Sequence, residues 1–185
     1  MASISLARVD DRLIHGQVVI KWFRLFPADE ILIYDDQVRA DPFLQRVLAL
    51  AAPPAARLTV KSVAETIAYL GPNGDAGDRP RVLLLVRSPK TALQLLEGGV
   101  SFAALNVGGM AAGPGTRRLH KSISATPEQI AQLEAIARRG VRVFFQTVPE
   151  PEETPVEFEA IRRRYESDGT AVTAAVPRAA GGTAR

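Results

Sequence analysis

Residues 81–99, RVLLLVRSPKTALQLLEGG, hold the plan of the molecule in nineteen positions. Val82 to Val86 is an apolar run with no polar alternation, as expected of a strand covered on both faces rather than one. Ser88 follows as a helix cap, Pro89 takes the first helical position, and the apolar spacing then changes to that of a helix reaching Glu97. A buried strand that passes directly into a helix is half of a parallel crossover unit.

The same alternation extends in both directions. Strands are predicted at Ser3 to Val9, Glu30 to Asp35, Arg57 to Lys61, Arg81 to Arg87, Phe102 to Val107, Leu119 to Ser124 and Val141 to Thr147. Between them, Val18, Val19, Trp22, Phe23 and Phe26 share one helical face from Gly16 to Phe26, which Pro27 ends. Further helices are predicted over Pro42 to Ala51, Ser62 to Leu70 and Ser88 to Glu97, and from Thr126 to the stop at Gly140. Strands alternating with helices predict an α/β domain: an open, mainly parallel β-sheet with right-handed crossovers and helices on both faces. In such sheets ligands gather at the carboxyl ends of the strands.

The 185 residues, nearly half of them apolar, suit a single domain. With no cysteine, the chain has no disulfide, thiolate metal site or cysteine nucleophile, and a cytoplasmic setting is expected. No stretch approaches the roughly 18 uncharged apolar residues of a membrane span, and no signal segment opens the chain. The net charge of +3 comes from scattered arginines, and only 6% of residues are aromatic, so neither a phosphate-tracking stripe nor a base-stacking platform is expected, and no nucleic-acid partner. Gly71 to Pro80 reads as a turn-rich connection. Beyond Pro149 the chain is acidic and proline-rich, then Val156 to Tyr165 fits an amphipathic helix, and residues 167–185 have the composition of a disordered tail.

Chemistry concentrates where the first strand gives way to the first helix, in Arg8 to Val18, RVDDRLIHGQV. His15 offers a nucleophilic imidazole, Gly16 lets a ligand approach the backbone, and amides at a helix start can receive an anion. Arg8 and Arg12 bring donors that suit phosphate. Asp10 or Asp11 could orient the imidazole or hold Arg12. Each residue also has a plainer role open to it: a polar loop histidine, an aspartate cap, an Arg12–Asp11 pair. As a functional site the segment fits a phosphoryl acceptor, because phosphoryl transfer asks mainly for positioning and for donors around the transferred group.

Elsewhere the signals are weaker. Asn106 to Gly115, NVGGMAAGPG, satisfies neither a Walker loop nor G-x-G-x-x-G and reads as a sharp turn between strands. His120 has no second ligand at metal spacing, so no metal and no cofactor are expected. Ser122 and Ser124 lack a nucleophile elbow, and Trp22 is expected in the core.

RVDDRLIHGQV resembles the active-site signature of the IIB components of the mannose/fructose/sorbose family of the bacterial phosphoenolpyruvate-dependent sugar phosphotransferase system. VLLLVRSPKTALQLLEGGV, LNVGGM, KSISATPEQI and GVRVFFQTVP look like the same family, in order, so that the likeness covers about residues 3–165. It implies that residues 1–166 form a IIB phosphocarrier domain whose histidine, matched by His15, is phosphorylated by a phosphohistidine on a IIA partner. His15 would then pass the phosphate to a sugar imported by IIC and IID membrane subunits, with which the cytoplasmic domain associates peripherally. Arg12 is implied as the arginine that holds the phosphate, Gly16 and Gln17 belong to the signature, and Asp10 and Asp11 match its acidic pair. The glycine loop is expected to border the site and touch a partner. A competing reading makes the same domain a phosphorylation-dependent regulatory module that never meets a sugar.

Overall fold

The computed structural model describes residues 3–16, 18–72, 74, 80–149 and 154–166. The expectations for Gln17, for the 167–185 tail and for most of the Gly71 to Pro80 connection therefore lie outside the described residues.

Strand β1 (Ser3–Asp10) leads into a π-helical segment (Val18–Trp22) that ends in a single turn, α1 (Phe23–Leu25). Then follow β2 (Glu30–Tyr34), α2 (Asp36–Ala40), α3 (Pro42–Ala51), β3 (Arg57–Lys61), α4 (Val63–Leu70), β4 (Arg81–Val86), α5 (Pro89–Glu97) and β5 (Ala104–Gly109). A hairpin of β6 (Arg117–His120) and β7 (Ile123–Ala125), α6 (Pro127–Arg138), β8 (Arg142–Phe145), β9 (Thr154–Pro155) and α7 (Phe158–Glu166) complete the order. The main sheet runs β3-β2-β4-β1-β5-β8-β9, parallel throughout except for the short β9 at its edge.

Local chemistry sets the helix starts. Ser62 and Glu65 form a reciprocal capping box on α4, as Thr126 and Gln129 do on α6. Ser88 caps α5 ahead of Pro89, and Asp41 caps α3 ahead of Pro42. Gly140 stops the chain after α6 at φ +85°, a conformation that glycine adopts without cost.

Two cores flank the sheet. On one face Ala7, Val9, Val82, Leu84 and Val86 pack with the buried residues of α5, α6 and α7; on the other, Leu6, Leu83 and Leu85 pack with Leu13, Ile14, Val18 and Trp22 and with Leu48 of α3. The β1 chain thus leaves toward one face, while those of its neighbours β4 and β5 lead to elements on the other. The chain reverses its direction across the sheet at the carboxyl end of β1, the position at which sheets of this kind gather ligands.

Three expectations need correction. The strand predicted from Leu119 to Ser124 is a two-stranded hairpin off the main sheet, turning at Lys121 and Ser122, and no glycine or proline marks that turn. The sharp turn read in Asn106 to Gly115 begins later, because Asn106 to Gly109 still belong to β5. The first helix is mostly π-wound. Unpredicted α2 is one short turn capped by Asp35 and buries Val38 alone.

Candidate active site

The end of β1 doubles back on itself. Leu13 N–H donates to Asp10 O at 2.9 Å, and Leu13 sits at φ +56°, a left-handed conformation that costs a non-glycine residue roughly 1–2 kcal/mol. Its side chain is buried in the core beneath the loop, which holds the turn in place. This reversal brings Arg12 and His15 back over Asp10.

Asp10 is the hub. Its carboxylate, fully buried, accepts from Arg8 Nη2 at 2.7 Å, from Arg12 Nε at 3.1 Å and from the Arg12 backbone N–H at 3.2 Å. His15 Nε2 lies 3.1 Å from Asp10 Oδ2. Facing a carboxylate, that nitrogen is the one that carries the ring proton, which leaves Nδ1 with its lone pair. Burial alone would raise the Asp10 carboxyl, but the hydrogen bonds from Arg12, His15 and Arg8 and the Arg8 charge outweigh it and hold it below the ordinary aspartate range. His15 keeps 19% of its side-chain surface exposed and Arg12 51%, so both can meet a group arriving from solvent.

Arg8 was expected to offer donors to phosphate, and the structure corrects this. Its guanidinium is fully buried. Nη1 donates to Asn106 Oδ1 and to Gln146 O, Nη2 to Asp10 and to Thr147 O, and the group lies 4.9 Å over the Trp22 ring. With all four Nη hydrogens spent on the protein, Arg8 positions Asp10 and ties β1 to β5 and to the segment after β8. Burial draws its own pKa down against the pull of Asp10, yet a guanidinium stays charged at any pH where the protein folds. The proton traffic of the pair therefore belongs to Asp10.

Asp11 is likewise not where the site needed it. Its Oδ2 accepts from Ala111 N–H at 2.8 Å and its carbonyl from Arg87 Nη1 at 3.3 Å, so it fastens the β5–β6 loop and touches neither His15 nor Arg12. The alternative Arg12–Asp11 pair is replaced by Arg12–Asp10. Gly16 is exposed, and a Cβ there would meet nothing within 4 Å.

The residues that sequence reasoning missed are supports. Asn106 holds Arg8 and donates to Gln146 O at 3.1 Å; a lone amide inside an otherwise apolar strand was the available signal. Trp22, expected only as core, also donates from Nε1 to Thr147 O at 3.2 Å. Gly108 leaves room for Arg8, since a Cβ would fall on the guanidinium, and one at Gly109 would come within 3.0 Å of Asp10 Oδ1. The double glycine is thus a matter of close approach rather than of a turn. Arg87 joins the rim by a 2.7 Å bond to Asp35. Among the described residues no cluster of side chains has the make-up of a metal site, and no helix is long and apolar enough to cross a membrane.

This geometry has relatives. The family described as PTS system sorbose subfamily IIB component matches residues 4–168. Over 145 residues the chain is 37% identical to the PTS system sorbose-specific EIIB component of Klebsiella pneumoniae, covering 78% of this chain and 87% of that one. It is 36% identical over 145 residues to the PTS system mannose-specific EIIAB component of Escherichia coli K12, covering 78% of this chain and 44% of that longer protein. The crystal structure of the IIBSor domain of the sorbose permease from Klebsiella pneumoniae superposes with a TM-score of 0.79 at 34% identity, over 87% of this chain and 97% of that one. A parallel sheet with the same order of motifs, matched over nearly the whole described chain, places it plainly: this chain belongs to the sorbose subfamily of the IIB components of the phosphotransferase system.

Proposed function

We propose that His15 is the phosphoryl acceptor of this IIB component, taking the group from a phosphohistidine of a IIA partner and passing it to a sugar that enters through IIC and IID membrane subunits. The observation that carries this reading is the 3.1 Å contact of His15 Nε2 with Asp10 Oδ2, which leaves Nδ1 as the nucleophile. In the first transfer Nδ1 attacks phosphorus while the bond to the donor imidazole breaks, and the donor nitrogen keeps the electron pair. Positive charge grows on the His15 ring as Nδ1 bonds, and the Asp10 carboxylate beneath Nε2–H stabilises it.

A carboxylate beside an incoming phosphate would repel it, and the two arginines on Asp10 offset that charge from either side. Arg12, half exposed, turns its remaining donors to the phosphoryl oxygens, with backbone amides around Gly16 completing the cradle. In the second transfer a sugar hydroxyl attacks phosphorus, the P–Nδ1 bond breaks with its electron pair returning to the imidazole, and the proton that the hydroxyl sheds leaves to solvent. The Escherichia coli relative is named for a joined A and B component, which supports an A-type donor. The domain works in the cytoplasm, against the membrane subunits.

The test is to incubate the full chain with phosphoenolpyruvate, Enzyme I, HPr and a phosphorylated IIA protein, then map the phosphate under alkaline conditions. Phosphate on His15, absent in His15→Ala although that variant keeps the wild-type melting temperature, is the expected result. Phosphate taken up normally by His15→Ala would sink the assignment. Phosphate that lodges on His15 but is never passed to sugar, with the membrane subunits present, would favour the regulatory module instead.

A further inference from the structure

Arg87, read in the sequence only as the end of a strand, ties together the carboxyl ends of three neighbouring strands. Tyr34 of β2 and Val9 of β1 are both register partners of Val86 in β4, so Asp35, Arg87 and Asp10 emerge side by side where these strands end. Arg87 Nε donates to Asp35 Oδ2 at 2.7 Å, and its Nη1 donates to Asp11 O at 3.3 Å. Asp35 is itself fixed. Its Oδ1 accepts from Val38 N–H at 2.8 Å, its backbone N–H donates to Lys61 O at 3.2 Å, and its side chain is only 9% exposed. A guanidinium anchored to a sheltered carboxylate is a firmer support than a surface ion pair.

Asp11 is the point at which that support acts. Its N–H donates to Gly109 O at 3.1 Å and its Oδ2 accepts from Ala111 N–H at 2.8 Å, so β5 and the residues that follow it hold Asp11 from one side of β1. Arg87 holds the carbonyl from the other side, that of β4. Two residues later Leu13 takes its left-handed conformation at φ +56°, the turn that brings Arg12 and His15 back over Asp10. A backbone conformation of this kind persists only where its surroundings over-determine it. With the Arg87 bond removed, Asp11 is held from the β5 side alone and the turn gains a way to relax.

We propose that Arg87 is a positioning residue of the phosphoryl transfer, acting through the Asp11 carbonyl on the turn that places Arg12 and His15. The proposal rests on the function given above, in which His15 accepts the phosphoryl group, and adds to it a support that lies outside RVDDRLIHGQV. Arg87 needs no contact with phosphate in this role. Its two bonds, one to the anchor and one to the loop, are what the transfer uses.

The experiment compares wild type with Arg87→Met, which removes every donor, and with Arg87→Lys, which keeps the charge but not the fork that spans two acceptors. Two quantities are measured on the full chain. One is hydrogen exchange at the Leu13 amide, and the other is single-turnover phosphate uptake over a range of concentrations of a phosphorylated IIA protein. In Arg87→Met, Leu13 should exchange about tenfold faster while the amides of α6 keep their rates. The saturated transfer rate should fall about tenfold, and the IIA concentration at half-saturation should stay within about twofold. Arg87→Lys should recover only part of each loss. Unchanged exchange at Leu13, a loss confined to half-saturation, or full recovery in Arg87→Lys overturns the proposal, since Arg87 would then be idle, a docking residue or simply a positive charge. The exchange arm requires no phosphate, which separates this proposal from the one it rests on. If wild type takes no phosphate on His15 while Leu13 still exchanges faster in Arg87→Met, the assigned acceptor falls and the hold of Arg87 on the turn stands.

Discussion

At Gly108 a side chain would land on the Arg8 guanidinium, whereas at Gly16 it would meet only solvent. The two glycines therefore separate folding from function. Gly108→Ala must push Arg8 off Asn106 and Asp10 or push β5 off β1, and overpacking of a tight interior costs typically 1–3 kcal/mol, so a clearly lowered melting temperature is expected in thermal unfolding. Gly16→Ala should melt within about 0.5 kcal/mol of wild type, because nothing in the fold occupies that space. If the space is left for the donor and its phosphate, the same variant should take up phosphate about tenfold more slowly, a barrier change of ~1.4 kcal/mol, in a single-turnover assay. Equal melting and equal transfer at Gly16→Ala would mean that glycine serves neither purpose there. These roles were only half legible in the sequence. RVDDRLIHGQV gathers His15, proposed as the acceptor, Asp10 beneath it and Arg12, proposed to hold the phosphate, into a single window, but which aspartate meets His15 depends on the left-handed turn at Leu13, and a leucine gives no local sign of that conformation. Arg8 looked like a donor because a formal charge in a loop motif carries no burial information. Its partners Asn106, Gln146 and Thr147 lie 98, 138 and 139 residues away along the chain.

Among the elements, strands and helices fixed by nearest-neighbour chemistry were readable. β2, β3, β4, α3, α4, α5 and α6 carry caps, prolines or unbroken apolar runs that act within a few residues. The winding of the first helix is instead shaped by distant contacts. The first helix kept its apolar face, but the Trp22 indole must reach both the Arg8 guanidinium and Thr147 O, and the wider π winding accompanies that placement. Trp22→Phe keeps most of the buried surface and gives up the N–H donor, leaving the Thr147 carbonyl one partner short. A loss of about 1–3 kcal/mol is expected from urea unfolding, along with slower phosphate uptake as Arg8 and Asp10 loosen. Stability and transfer both equal to wild type would show that Trp22 does no more than fill space. By contrast Ser62→Ala removes half of a capping box far from the site and should cost ~1 kcal/mol with no change in transfer.

Over the whole molecule, the sheet order places β1 between strands whose chains lead to the other face, and the Asp10, Arg12 and His15 cluster sits at the carboxyl end of β1, where this reversal falls. One buried ion pair, Arg8 with Asp10, then joins the centre of the sheet to the loop that carries His15, and its behaviour with pH should be visible in global unfolding. Asp10 is held below the ordinary aspartate range in the folded state. A depressed carboxyl contributes stability that is complete above the unfolded value, roughly pH 4, and is lost as the pH falls through the folded value. Asp29, beside Arg81, and Glu65, held at about 2 by Arg39 and the Ser62 backbone, act in the same direction, but both are exposed surface pairs that salt screens. Asp10→Asn removes the buried member alone and leaves Arg8 without its counter-charge, for which breaking a buried pair costs about 3–5 kcal/mol. The melting-temperature gap between wild type and Asp10→Asn should accordingly be wide at neutral pH, narrow as the pH falls below about 4, and persist in salt that flattens the Asp29 and Glu65 contributions. A gap that stays constant with pH would mean that Asp10 enters and leaves the fold in the same protonation state. In that event Arg8 and Arg12 would not favour the charged carboxylate over the neutral one, and the offset of its charge assigned to them in the transfer would have to come from elsewhere.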